Sequence, residues 1–206
     1  MCVKVLFITK KRKLYGQNST LTSSGLLNSV KFVSDMLNKE GVCSAVSDVI
    51  DNNCIDRELT KYKPELCIIE AIWVVPEKFI ILKKLHPKVK FAVRIHSELP
   101  FIANEGVAIS WLKKYHALGI KLYCNSERIQ KSLKDTLEID SEYLPNYYPV
   151  TDTKKFKQLK GNGYLDIGCF GAIRPLKNHL IQAVAALRYA DKHDKMLYFH
   201  INSTRV

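Results

Sequence analysis

Short apolar segments and longer amphipathic segments alternate along almost the whole chain. "VKVLFIT" (3–9) is a short apolar run rich in β-branched residues, which predicts a buried strand. "GLLNSVKFVSDMLNKEG" (25–41) then places its apolar residues at helical spacing. The pattern repeats to residue 146. Strands that alternate with helices of this length predict an α/β fold, with a parallel sheet and helices on both faces.

Five more strands and four more helices follow from the same reading. Ser126 is a suitable N-cap for the last of these helices, because its hydroxyl can accept from a free amide of the first turn. The further strands are predicted at 42–50, 65–75, 90–96, 120–125 and 142–146. The further helices are predicted at 53–64, 76–87, 106–119 and 126–137.

The composition changes at 147–163, where a proline, lysines and a Gly-Asn-Gly replace the periodic apolar pattern. This stretch is typical of a linker between domains. It divides the chain into a Rossmann-like domain at 1–146, the linker, and a start of a second domain at 164–206. The last part contains a single β-α-β unit, which cannot bury both faces of a sheet. We therefore expect an incomplete second domain and a truncated chain.

The chain is basic, with 32 Lys and Arg against 20 Asp and Glu and a formal net charge of +12. The densest cluster is "KKRK" at 10–13. It predicts either an anionic partner, such as nucleotide phosphate, an acidic membrane surface or nucleic acid, or simply a solubilising surface. "KKRK" also matches a nuclear-localisation or nucleic-acid patch, but so short a match occurs often by chance.

Targeting and cysteine patterns point to the cytoplasm. No apolar run reaches the roughly 18 residues of a membrane span, and the N-terminus lacks the order of a secretory signal. The six cysteines show no zinc-ligand spacing, so no metal site is expected. We interpret them as small buried thiols in a reducing compartment.

The segment "FGAIRPLKNHLIQAV" (170–184) joins a strand to a helix through a loop with two cations. A helix N-terminus offers unpaired amides and partial positive charge to an anion. Gly171 allows a turn or a close approach of a ligand. Arg174 can hold phosphate oxygens in a bidentate manner, and Lys177 adds a compact charge. The alternative is a loop whose cations only face water.

This stretch resembles the start of the second domain in retaining glycosyltransferases of the GT-B fold, particularly the family 4 group. In that family an Arg and a Lys of the loop neutralise the diphosphate of a sugar nucleotide. Gly171 and Lys177 stand at the same spacing as the glycine and the lysine of the family's pattern. The usual arginine position directly after the glycine is Ala172 here, and Arg174 lies two residues later.

The resemblance extends through the first domain. "SSGLLNSVKFVSDMLNKEG" is similar to the first loop and helix, with Gly25 as the glycine close to substrate. "FAVRIHSELPF" is similar to the strand that ends in a site histidine, here His96, which the resemblance makes catalytic. Glu98 is then a candidate for contact with an acceptor hydroxyl. "EYLPNYYPV" is similar to the entry into the linker, with Asn146 in place.

The resemblance implies transfer of a sugar from a nucleotide-diphosphate sugar to a glycan, lipid or protein acceptor, with no further cofactor and no obligatory metal. It also implies peripheral contact with an anionic membrane at its inner face. Nucleic acid is not an expected partner. The acidic donor motif of the family does not occur before residue 206. The alternatives are therefore an inactive remnant or a basic, Rossmann-like nucleic-acid-binding protein.

Overall fold

Six parallel strands form the sheet of the first part of the chain in the computed structural model, which describes residues 2–11, 25–150, 163–171 and 177–201. Their spatial order is β2-β1-β3-β4-β5-β6, and neighbouring strands run parallel. The strands are β1 (Lys4–Lys10), β2 (Cys43–Val49), β3 (Leu66–Glu70), β4 (Lys90–Ile95), β5 (Lys121–Cys124) and β6 (Glu142–Tyr143). The predicted α/β class is confirmed, and the sheet is Rossmann-like.

The connecting helices lie on both faces of this sheet, but unequally. Only the first crossover runs toward β2, whereas the later ones run the opposite way, so right-handed connections put α1 on one face and the later helices on the other. The helices are α1 (Gly25–Lys39), α2 (Ile55–Tyr62), α3 (Pro76–Leu85), α4 (Leu99–Ala103), α5 (Ala108–Ala117) and α6 (Glu127–Leu137). A 3-10 turn at Asn52–Cys54 precedes α2.

Alternate residues of the strands supply two separate hydrophobic cores. Val5 and Phe7 of β1 pack with Val30 and Val33 of α1 on one face. Leu6 and Ile8 face the larger core, where the ring of Phe79 meets those of Phe91 and Tyr115 edge to face. Both faces of the central strands are therefore buried, which explains their continuous apolar sequences.

The chain divides into two compact units, 1–149 and 150–206, referred to below as the first and second units. In the second unit β7 (Tyr164–Cys169) and β8 (Met196–Ile201) pair in parallel, and α7 (His179–Lys192) connects them. Ala186 and Ala190 are the buried residues of α7, while Leu180 and Ile181 are exposed. Much of the apolar surface of the second unit is thus uncovered within that unit.

The cysteine prediction was wrong for two of the six residues. Cys2 and Cys43 form a disulfide, with their α-carbons 5.8 Å apart. The cause is the sheet register, which pairs Lys4 with Cys43 and so brings Cys2, two residues before β1, close to the start of β2. Cys67, Cys124 and Cys169 are buried free thiols as predicted, and Cys54 is a half-buried one.

The buried thiol of Cys67 in β3 should make the protein less stable at alkaline pH. The pKa of Cys67 is raised well above its ordinary value of 9.0 because the folded protein removes the thiol from water. Because the folded-state pKa is raised, the full unfolding free energy is present below about pH 9. It falls as the pH rises further, since the thiol then ionises in the unfolded chain before it does so in the folded protein. We expect unfolding free energy to fall with pH above about 9, with this thiol contributing about 1.4 kcal/mol per pH unit.

Urea denaturation of wild type and Cys67→Ala at a series of alkaline pH values measures this slope. The variant should show a shallower decline than wild type, whatever its absolute stability. Equal slopes in the two proteins would contradict the assignment to Cys67.

The predicted cap of the last helix in the first unit is confirmed. The Ser126 hydroxyl accepts a hydrogen bond from the amide of Ile129 at 3.2 Å, at the start of α6. Ser126→Ala should cost about 1 kcal/mol of unfolding free energy, because it leaves a first-turn amide without its acceptor. Ser126→Asn should retain most of it, because its side-chain oxygen can accept from the same amide without adding a charge beside Glu98. Thermal denaturation of the two variants decides, and an alanine variant as stable as wild type would speak against the cap.

Candidate functional site

Two charged side chains lie opposite each other at the carboxyl ends of β3 and β4. Glu70 is the last residue of β3, and the sheet register pairs it with Arg94 of β4. Their side chains are 0% exposed, and Nη1 of Arg94 lies 3.6 Å from Oε1 of Glu70. Opposite charges in direct attraction offset part of the cost of removing both from water. The interior of the first unit therefore contains an ion pair at the carboxyl ends of two neighbouring strands.

Arg94 also fastens the segment that leaves the sheet. Its Nε donates to the carbonyl of Leu144 at 3.2 Å, and Nη2 donates to the carbonyl of Pro145 at 2.7 Å. Nη2 further donates to Oδ1 of Asn146 at 2.9 Å. The hydroxyl of Ser29 in α1 donates to the same oxygen at 2.8 Å. Asn146 thus joins the ion pair to α1 on the side of the sheet that α1 covers.

His96 directly follows the last residue of β4 and contacts the other oxygen of Glu70. Its Nε2 lies 2.5 Å from Oε2 of Glu70, and the imidazole is 14% exposed whereas the carboxylate is not exposed. The amide nitrogen of Asn125, just past β5, lies 3.5 Å from Nδ1 of His96. The ring is therefore held from one side by a buried carboxylate and presents its other nitrogen beside an amide.

Glu98 lies at the start of α4, a short helix that the sequence did not predict. Its Oε1 accepts from Nη2 of Arg128 at 2.9 Å and is 3.5 Å from the hydroxyl of Ser126. Both partners belong to the start of α6, so Glu98 connects the loop after β4 to that helix. The carboxylate of Glu98, two residues after His96, is thus paired with a cation in this structure.

The loop after β3 contributes an aromatic residue. The indole of Trp73 donates to the backbone carbonyl of Glu70 at 2.9 Å, and the ammonium of Lys10 lies 5.8 Å from the ring centre. Ala71, which lies between Glu70 and Trp73 in the sequence, has a φ of +68°, a left-handed conformation that costs energy for a residue with a Cβ. Since the sheet order reverses between β1 and β3, this loop borders the crevice where such folds bind ligands.

The two predicted glycines have different surroundings. Gly25 is the first residue of α1, and a Cβ built on it would meet no atom within 4 Å. Gly171 follows β7 with φ +138, a conformation that favours glycine, so the chain can turn there as predicted.

Of the two loop cations, one is described. Lys177 is exposed, and its carbonyl accepts from the side chain of Gln182 at 2.8 Å, just before α7 begins. Arg174 lies outside the described residues. The predicted phosphate site thus remains a prediction, with Gly171, Lys177 and the start of α7 in the expected chain order.

The structure brings together residues that the sequence pattern did not connect. His96 and Asn146 belong to one network, linked through Glu70 and Arg94. Arg94 and Asn125 were missed. A usable signal existed: "LCIIE" and "FAVRI" each carry a single charge of opposite sign within a buried strand. Because a buried charge needs a partner, these two strands could have been predicted as neighbours with Glu70 facing Arg94.

Two classes of feature are absent from the described parts of the chain. No group of three or more His, Cys, Asp or Glu side chains there is arranged to hold a metal ion. No helix in those parts is both long and apolar enough to cross a membrane.

The sequence matches no model of a known protein family and no curated protein.

Proposed function

We propose that the chain is a GT-B-like glycosyltransferase that acts with a nucleotide-diphosphate sugar. The first unit binds the acceptor at the carboxyl-end edge of its sheet, and the second unit binds the donor diphosphate. The observation that carries this proposal is His96, placed at that edge and held by a buried carboxylate. Site histidines in clefts of α/β sheets are suited to hydrogen-bond hydroxylated ligands.

The second unit supports the donor side of the proposal by its order of elements. A strand ends, Gly171 turns the chain, and α7 begins two residues after Lys177. Amides at a helix N-terminus and a nearby cation together stabilise the negative charge that a departing diphosphate develops. Arg174 supplies a second cation in this proposal. The base and the sugar of the donor are not assigned.

Removal of one lysine tests the donor side. Lys177→Ala should weaken binding of a nucleoside diphosphate by about ten- to a hundredfold, since a charged hydrogen bond is worth roughly 1.5–3 kcal/mol. Binding of the nucleoside without phosphates should barely change. Calorimetry measures both affinities. Lys192→Ala, at the opposite end of α7, is the matched control and should bind the diphosphate like wild type.

A second measurement separates the proposal from binding of nucleic acid. If the basic charge serves nucleic acid, affinity for DNA or RNA should be substantial and should fall steeply with salt. Tight, salt-dependent binding of DNA or RNA, together with an affinity of Lys177→Ala for nucleoside diphosphate equal to that of wild type, would reject the proposed function.

A further inference from the structure

The two ring nitrogens of His96 face different kinds of partner. Nε2 lies 2.5 Å from a carboxylate oxygen of Glu70, and Nδ1 lies 3.5 Å from the side-chain nitrogen of Asn125. An ionised carboxylate can only accept hydrogen bonds. Nε2 must therefore carry a proton and donate a hydrogen bond to the carboxylate of Glu70. An amide nitrogen can only donate, so Nδ1 meets a donor rather than an acceptor.

The charges beneath the ring argue against a second proton on it. The carboxylate of Glu70 is already matched by the guanidinium of Arg94, and both are 0% exposed. The neighbouring acid Glu98 is matched by Arg128 at 2.9 Å. A charged imidazolium, only 14% exposed, would add a second positive charge beside Glu70, whose carboxylate Arg94 already faces. The neutral ring with a lone pair on Nδ1 is the arrangement that fits.

We propose that Glu70, itself held by Arg94, is a positioning residue that fixes His96 as the neutral imidazole with its proton on Nε2. Nδ1 and the amide of Asn125 then form a subsite for a hydroxyl group. One hydroxyl can donate to Nδ1 while its oxygen accepts from Asn125. This inference rests on the proposed function in naming that hydroxyl as part of the sugar acceptor.

The same geometry disfavours a phosphate at this position. An ionised phosphate oxygen only accepts hydrogen bonds, so it would face the Nδ1 lone pair without a donor from the ring. The chain would thus separate its tasks: a charge-neutral hydroxyl subsite in the first unit, and anion binding by the cations of the 170–184 segment. The selectivity follows from where one proton lies, and Glu70 determines that.

Glu70→Gln changes the position of this proton in a predictable way. Arg94 Nη1 carries only donor protons and lies 3.6 Å from Oε1 of Glu70, so the new carboxamide should turn its oxygen toward Arg94 and its NH2 toward His96. Nε2 must then accept, and the proton moves to Nδ1. The same loss of the correct tautomer follows when an orienting carboxylate is replaced by an amide in the serine-protease triad.

Nitrogen NMR of 15N-histidine-labelled full chain tests the proposal without any assay of sugar transfer. His96 is assigned by comparison with His96→Gln. Wild type should show a protonated Nε2, with a proton retained against exchange, and an unprotonated Nδ1. Glu70→Gln should show the reverse. Glu142→Gln, an exposed carboxylate on β6, is the control and should leave the His96 signals unchanged.

Two probes then test the subsite. An excess of a methyl glycoside should perturb the Nδ1 signal of wild type, and sulfate, a fully ionised anion that only accepts hydrogen bonds at neutral pH, should not. A wild-type ring protonated on Nδ1, a doubly protonated ring, or a response to sulfate alone would overturn the proposal. The wild-type spectrum decides even if Glu70→Gln fails to fold. Failure of sugar transfer would reject the proposed function but leave the assignment of Glu70 intact.

Discussion

Arg94→Ala is expected to lower the unfolding free energy of the first unit by about 3–5 kcal/mol, the cost typical of leaving one partner of a buried ion pair without the other. Glu70 would keep its charge at 0% exposure with no cation beside it. The carbonyls of Leu144 and Pro145 would also lose their donor. Urea denaturation followed by tryptophan fluorescence reports this unit alone, because Trp73 and Trp111 are the two tryptophans of the chain.

Two control variants decide whether charge is the cause. The double variant Glu70→Leu with Arg94→Met removes both charges and should recover a large part of the lost stability, since apolar residues often replace a buried pair at little cost. Arg128→Ala breaks a solvent-exposed pair with Glu98 and should cause no measurable change. If the double variant is as unstable as Arg94→Ala, packing or hydrogen bonding of Arg94 outweighs its charge.

The second large effect concerns the Cys2–Cys43 disulfide. Cys2→Ser should lower the unfolding free energy in oxidising buffer by about 2–4 kcal/mol, because the bond closes a long loop in the unfolded chain and so limits its entropy. The sequence separation is 41 residues. Urea denaturation measures the difference, and a reductant should bring wild type to the stability of the variant.

Cys54→Ser is the matched control for this bond, since Cys54 is a free, half-buried thiol. Because this variant keeps the Cys2–Cys43 disulfide, a reductant should lower its unfolding free energy by the same amount as it does for wild type. Mass spectrometry of the alkylated, unreduced protein should find Cys2 and Cys43 blocked from reagent. A wild-type stability that is the same with and without reductant would contradict a stabilising disulfide.

Local patterns in the sequence determined the secondary structure of the first unit closely. Apolar runs in β1 and β4, and the serine before α6, specify their elements through the immediate neighbours of each residue. Such signals need no knowledge of the rest of the fold. The alternation of these elements also determined the α/β class, because parallel strands require crossover helices. The short α4 was missed, since five residues carry too little periodicity.

Only the tertiary structure decided which side chains meet. Glu70 and Arg94 are 24 residues apart in sequence, and each looks like a lone charge in an apolar strand. The register of β3 with β4 makes them neighbours, and the register of β1 with β2 brings Cys2 close to Cys43. Asn146 reaches Ser29 across 117 residues. Sequence periodicity determines the face on which a residue lies, whereas contacts between distant residues depend on the packing of the whole sheet.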